Sequence, residues 1–155
     1  NRVSKAYGGD VAVGFSSIFW NTLWTDNQPP HTLGILCDPN HKALSEFPTR
    51  YYSDYQWQDM MSHASAIRYD KLFPDIKPIV RIIDDWFTAR PLAMIFEVKV
   101  SKGSVIVSGA DLVSNLQNRP TAKQLRTSLV DYMNSEAFHP QQSVTVEQLK
   151  KLFRE

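Results

Sequence analysis

Cys37, the histidines His31, His41, His63 and His139, and the adjacent carboxylates Asp84 and Asp85 could do chemistry in this chain of 155 residues. A cysteine nucleophile on a strand-to-helix elbow wants small residues two positions to either side. Here those positions hold Ile35 and Pro39, neither of them small. The surroundings of Cys37 fit a buried thiol at a strand end, the common habit of a free cysteine. No histidine stands three or four residues from another histidine. Two histidines at the spacing that places zinc ligands on one helical face are therefore missing, and no metal is expected. Asp84 and Asp85 could hold a cation or exchange protons, but such pairs more often cap a turn. Asp38 and Asp111 each follow an apolar run. In an open α/β sheet the carboxyl ends of strands are where ligands bind.

Aromatic side chains are the other feature. Trp20, Trp24, Trp57, Tyr51, Tyr52 and Tyr55 surround the apolar run at 33–37, and Trp86 follows the aspartate pair. A flat apolar ring with a polar tip suits both a sugar face and a wet protein interface. Trp20, Trp24, Tyr55, Trp57 and Trp86 are accordingly the candidate sugar or partner contacts. Burial in a core is the competing reading for each ring.

The elements that must position these residues follow from periodicity. Residues 11–15, 32–37, 78–83, 92–100 and 104–108 read as strands, rich in β-branched residues and bounded by turn formers. In the fourth, Phe96, Val98 and Val100 share one face and Glu97 and Lys99 the other. Lys102 and Gly103 mark a tight hairpin. Pro39 opens a short helical turn, and residues 55–63 form a short helix. Residues 121–133 place Leu125, Leu129, Tyr132 and Met133 on one helical face. Capping boxes are read at Thr121 with Gln124 and at Thr145 with Gln148, the second with a staple between Val144 and Leu149. Strands followed by helices, with wholly apolar central strands, predict a layered α/β domain with a mixed sheet.

A formal charge of +1 and scattered lysines and arginines give no nucleic-acid footprint. A single cysteine excludes an internal disulfide. No apolar run approaches the ~18 residues of a membrane span. The first residues have no apolar leader segment and no initiator methionine, so a fragment of a longer chain is expected. The length suits one domain, with residues 1–10 flexible and 135–155 a C-terminal helical extension.

Five segments carry a resemblance to a known family. They are FWNTLWTDNQPPHTLGILCDPNHKALSEFPT, YSDYQWQDM, IVRIIDDWF, LAMIFEVKVSKGSVIVSGADL and LRTSLVDYMNSEAFHPQQSVTVEQLKKLF. With them the chain, from about residue 11 onward, resembles the C-terminal region of large glycoside hydrolases from Bacteroidetes, of the family-two β-galactosidase and β-glucuronidase type. Gln58 stands where that family's second motif carries another aromatic ring. The resemblance implies a glutamine-amidotransferase-like (flavodoxin-like) fold with a mostly parallel sheet flanked by helices. That fold would lack its catalytic cysteine and be truncated at its N-terminus if its first strands precede this chain. It implies a non-catalytic accessory domain, periplasmic or at the cell surface. Its partners would be the catalytic and sandwich domains of the parent enzyme. No cofactor and no catalytic residue carry over. A carbohydrate-binding module, taking oligosaccharide on the aromatic cluster, is the alternative. A small enzyme using Cys37 or the aspartate pair is the third reading.

Overall fold

The computed structural model of the protein describes residues 3–15 and 30–153. Its organising element is one long central strand, β4 (Leu92–Val100), to which most of the sheet is attached. β1 (Ile35–Cys37), β2 (Ile67–Arg68), β3 (Val80–Ile82), β5 (Gly103–Ser108) and β6 (Ser143–Val144) complete a sheet of six strands. β3 and β6 share one edge of β4, and β2 and β5 the other, as the paired residues require. β1 lies outside β3. Four pairings are antiparallel, and only the short one between β4 and β6 is parallel.

This corrects the expected fold. The sheet is mainly antiparallel, so the layered α/β, flavodoxin-like and amidotransferase-like arrangement does not hold. A parallel pair needs a crossover of a dozen or more residues, usually a helix. The connections between the early strands carry only 3-10 turns and α1 (Gln58–Ser62), which is five residues long. β4 and β5 are joined by a two-residue turn at Ser101 and Lys102, which forces them antiparallel.

The apolar run in β4 has a different origin from a parallel sheet. Val80 pairs with Ile95 while Arg81 pairs with Ala93, so Met94 is an extra residue in β4. The bulge puts Leu92, Met94 and Ile95 into one core. Ala93, Phe96 and Val98 go into the other. Both faces of the strand are buried, so its polar alternation is lost. Beyond the bulge the expected alternation appears: Phe96, Val98 and Val100 lie with the second core, and Glu97 accepts a bond from the Tyr132 hydroxyl at 2.8 Å.

The two faces of the sheet are covered by different segments. α2 (Pro120–Met133) buries Ala122, Leu125, Leu129 and Tyr132 against the first core, beside Trp57, Met60 and Met61. Met133, expected on that face, is exposed, and Ser128 is buried instead. Its hydroxyl donates to the Ala43 carbonyl at 2.8 Å and accepts from the Glu46 amide at 3.1 Å. α2 begins at Pro120, so no capping box forms at Thr121: proline supplies the helical φ and has no N–H to satisfy. The second face is closed by Phe73, Ile76, Val3, Val144 and, from α3 (Val146–Leu152), Leu152. α3 has the expected capping box at Thr145 and Gln148, and Val144 and Leu149 both join the second core. Residues 11–15 form no strand, although Val11, Val13 and Phe15 pack on the first core.

Candidate functional site

Asp84 and Asp85 leave β3 and begin a loop that returns to β4 at Leu92. Both are buried. Asp84 Oδ2 accepts from the backbone N–H of Arg90 and from its Nε, each at 2.7 Å, and Oδ1 accepts from Nη2 at 3.0 Å. Burial pushes this carboxyl up. The Arg90 guanidinium and the Arg90 and Asp85 amides together outweigh it and hold the carboxyl below the usual range. Asp85 Oδ1 accepts from the amides of Phe87 (3.0 Å) and Thr88 (2.9 Å), and the Thr88 hydroxyl bonds to both oxygens. Ala89 takes a left-handed φ of 50° and donates to the Asp85 carbonyl. These carboxylates are consumed in fixing the loop.

The fixed loop carries Trp86 (53% exposed) and Phe87 (71% exposed), edge-to-face with ring centroids 5.7 Å apart. Ile83, just before it, is also exposed. Ile83 follows Arg81 on the side of β3 away from the first core, and Leu36 of β1 faces Arg81 across the ladder. Tyr52 bridges Leu36 from the far side. Directly opposed residues share a face, so Tyr52, Leu36 and Arg81 form one surface row, with Ile83 beside it. Tyr51 and Tyr55 belong to the same outer segment and are exposed too. The Tyr52 hydroxyl is held by Arg50 Nη1 at 3.0 Å, and Arg50 pairs with Asp54 at 3.5 Å.

Trp57, expected as a contact, has no exposed surface. Its indole N–H donates to Thr49 Oγ1 at 2.8 Å, and its ring meets Phe47 edge-on. It is a core residue and cannot stack on a ligand. Trp20 and Trp24 lie outside the described residues. Of the five rings named from the sequence, Tyr55 and Trp86 are on the surface.

Cys37 is buried, with its Sγ 3.2 Å from the Arg50 carbonyl. Desolvation pushes its thiol up to about 11, which leaves almost no thiolate at neutral pH. His41 Nδ1 accepts from the Ala43 amide and caps the short turn after β1, and its ring packs on Tyr132. His31 Nδ1 bonds the Thr32 carbonyl, and His63 sits against Asp59. Among the described residues no group of histidine, cysteine and carboxylates could hold a metal ion. Asp38 closes a turn by accepting from the Asn40 amide.

Asp111 lines a cleft of about 690 Å3 together with His63, Ser65, Ser108, Val113 and Phe153. The amides of Ser114 and Val113 hold its carboxyl down to about 2. Arg119, buried beside it, donates through Nε to both oxygens of Asp59 at 3.0 and 2.9 Å and through Nη1 to the Ser114 carbonyl. Its Nη2 stands 2.9 Å from Asp59 Oδ2 but makes no hydrogen bond, so that contact is purely electrostatic. The cleft thus gathers fixed charges, and among the described residues no hydrogen bond joins one of its serines to His63.

Sequence reasoning missed Phe87, Arg90 and Arg119. Arg90, six residues after the first aspartate of the pair, was a readable signal for a closed loop. The exposure of Phe87 had none, because an isolated phenylalanine beside a strand reads as core.

Residues 2–154 match the model of a family described as a domain of unknown function (DUF8487). None of the curated proteins matches the chain.

Proposed function

For a chain that belongs to the DUF8487 family, we propose a non-catalytic accessory domain of a secreted polysaccharide-degrading glycoside hydrolase, which contacts the rest of that enzyme through its aromatic surface. The carrying observation is the loop locked by Asp84, Asp85 and Arg90, with Trp86 and Phe87 turned to solvent. Aromatic rings dominate interface energetics when buried centrally. A loop already fixed in place has less conformational freedom left to lose on docking. The row of Tyr52, Leu36 and Ile83 extends the apolar area beyond the loop. The parent enzyme is inferred from the segment resemblance alone, without the fold that came with it.

The test is Trp86→Ala with Phe87→Ala in the parent enzyme. Phe87 is largely exposed and Trp86 half so, and the two rings pack edge to face, so the domain's own stability should fall by no more than about 1.5 kcal/mol. Its docking should weaken by about 2 kcal/mol or more. Calorimetric melting would report this as separation of a once-shared transition. Unchanged melting and assembly would sink the proposal.

A second reading keeps the three exposed tyrosines, Tyr51, Tyr52 and Tyr55, as a sugar platform. Titration calorimetry against plant and host oligosaccharides tests it. Saturable heat that Tyr52→Ala and Tyr55→Ala abolish would favour it, and silence with every sugar would remove it.

A further inference from the structure

β5 has an open edge. One side of it pairs with β4 along its whole length. Among the described residues no segment pairs with its other side: the nearest bridge, Ala64 with Ala110, lies beyond its end. The Gly109 amide donates to the Met94 carbonyl at 2.7 Å. Antiparallel ladders alternate between bonded and non-bonded pairs, so that bond sets the phase. Val107 and Val105 turn their backbone groups toward β4. Ser104, Ile106 and Ser108 turn theirs outward. β5 is also the more open strand: Phe96 and Val98 of β4 are fully buried, whereas Ser104 is exposed and Val105 and Ile106 are half-buried.

Natural sheet edges are usually blunted by a charge, a proline or a bulge. Residues 103–108, GSVIVS, contain none of these, and the β4–β5 register is unbroken. The segment also reads the same in both directions from Ser104 to Ser108, with Ile106 at the centre. A two-fold axis at Ile106 would bring Ser104 opposite Ser108 of the partner copy, Val105 opposite Val107, and Ile106 opposite itself. The outward groups are those of alternate residues centred on Ile106, so each donor would meet an acceptor. About six hydrogen bonds could form, and β-branched residues would face one another across the join.

We propose that β5 is a self-association edge, and that two copies of this chain pair antiparallel through Ser104, Ile106 and Ser108 to continue one sheet across a two-fold axis. The interface is isologous and closes on itself. A single strand pair is small, so the dimer is weak, with Kd on the order of micromolar to tens of micromolar.

Sedimentation velocity of the 155-residue chain across a concentration series, with amide hydrogen exchange on the same samples, tests this. Reversible dimerisation is expected. The amides of Ser104, Ile106 and Ser108 should gain protection with concentration, while those of Val105 and Val107 are protected throughout by β4. Ser104→Lys sets a charge on an exposed position of the edge and should weaken the dimer at least about tenfold. Ile106→Pro removes an outward N–H without touching the β4 ladder and should abolish dimerisation. A chain that stays monomeric up to about 0.5 mM, far above the expected Kd, would overturn the proposal. So would a dimer that both folded variants retain, or protection at these amides that appears only when an extended segment of the parent enzyme is added. If Ile106→Pro does not fold, Ser104→Lys and the wild-type exchange pattern still decide the matter.

Discussion

At Asp84 two opposing effects on a carboxylate meet. Its side chain is only 2% exposed, which favours the neutral form, yet the Arg90 fork and backbone amides hold it charged. Removing the cation should therefore do more than remove a contact. Arg90→Ala would strand a buried charge, which costs about 3–5 kcal/mol in such pairs. About 3 kcal/mol is expected here, because a quarter of the Arg90 side chain remains in water. Chemical denaturation should report this loss, and NMR titration should find the Asp84 pKa raised in the variant. Both aspartates were visible in the sequence as a pair with three uses: cation, proton transfer or turn. What decided among them was Arg90 returning to the same point in space. Trp57 teaches the complementary lesson. Its type and neighbours suited a contact residue, but the sequence has no signal for which way a ring in a 3-10 turn will face.

Elements differed in how far local rules governed them. The α3 cap depends on Thr145, Gln148, Val144 and Leu149, all within six residues, and it formed as expected. Thr145→Ala should cost about 1 kcal/mol, read from the denaturation midpoint. Thr121 offered the same pattern, but Pro120 moved the helix start and Gln124 turned to the Glu46 carbonyl instead. The β4–β5 hairpin was also local, set by a short turn between two apolar strands. The pairing of β1 with β3 was not. It joins segments far apart in the chain, and nothing in either fixes its direction.

For the whole molecule, the depressed carboxyls of Asp70, Asp84 and Asp111 predict how the protein meets acid. Asp70, Asp84 and Asp111 all lie below their ordinary value of 3.8, Asp70 through its bonds to Arg68, and Asp111 is held down to about 2. A lowered folded-state pKa gives stability that is present above the unfolded value and lost as pH falls through the folded one. Thermal melting should therefore change little from these groups between pH 7 and pH 5 and fall as pH drops from about 4 toward 2. Asp111→Asn should flatten the lower part of that fall. A melting temperature independent of pH below 4 would contradict the assignment.

The sequence by itself determined what is local. It placed most strands, the hairpin, the α3 cap and the poor setting of Cys37 for catalysis, because each rests on neighbours in the chain. Tertiary structure alone decided the sheet's direction and the fate of the aromatics. A strand buried on both faces is apolar whether helices or loops cover it, so residues 92–100 could not report an antiparallel sheet. The bulge at Met94 and the cover from Phe73, Ile76 and Leu152 supplied that burial. Likewise Trp57 and Trp86 are the same residue type. One closes the core and the other faces water, because only packing between distant segments determines which surface is left open.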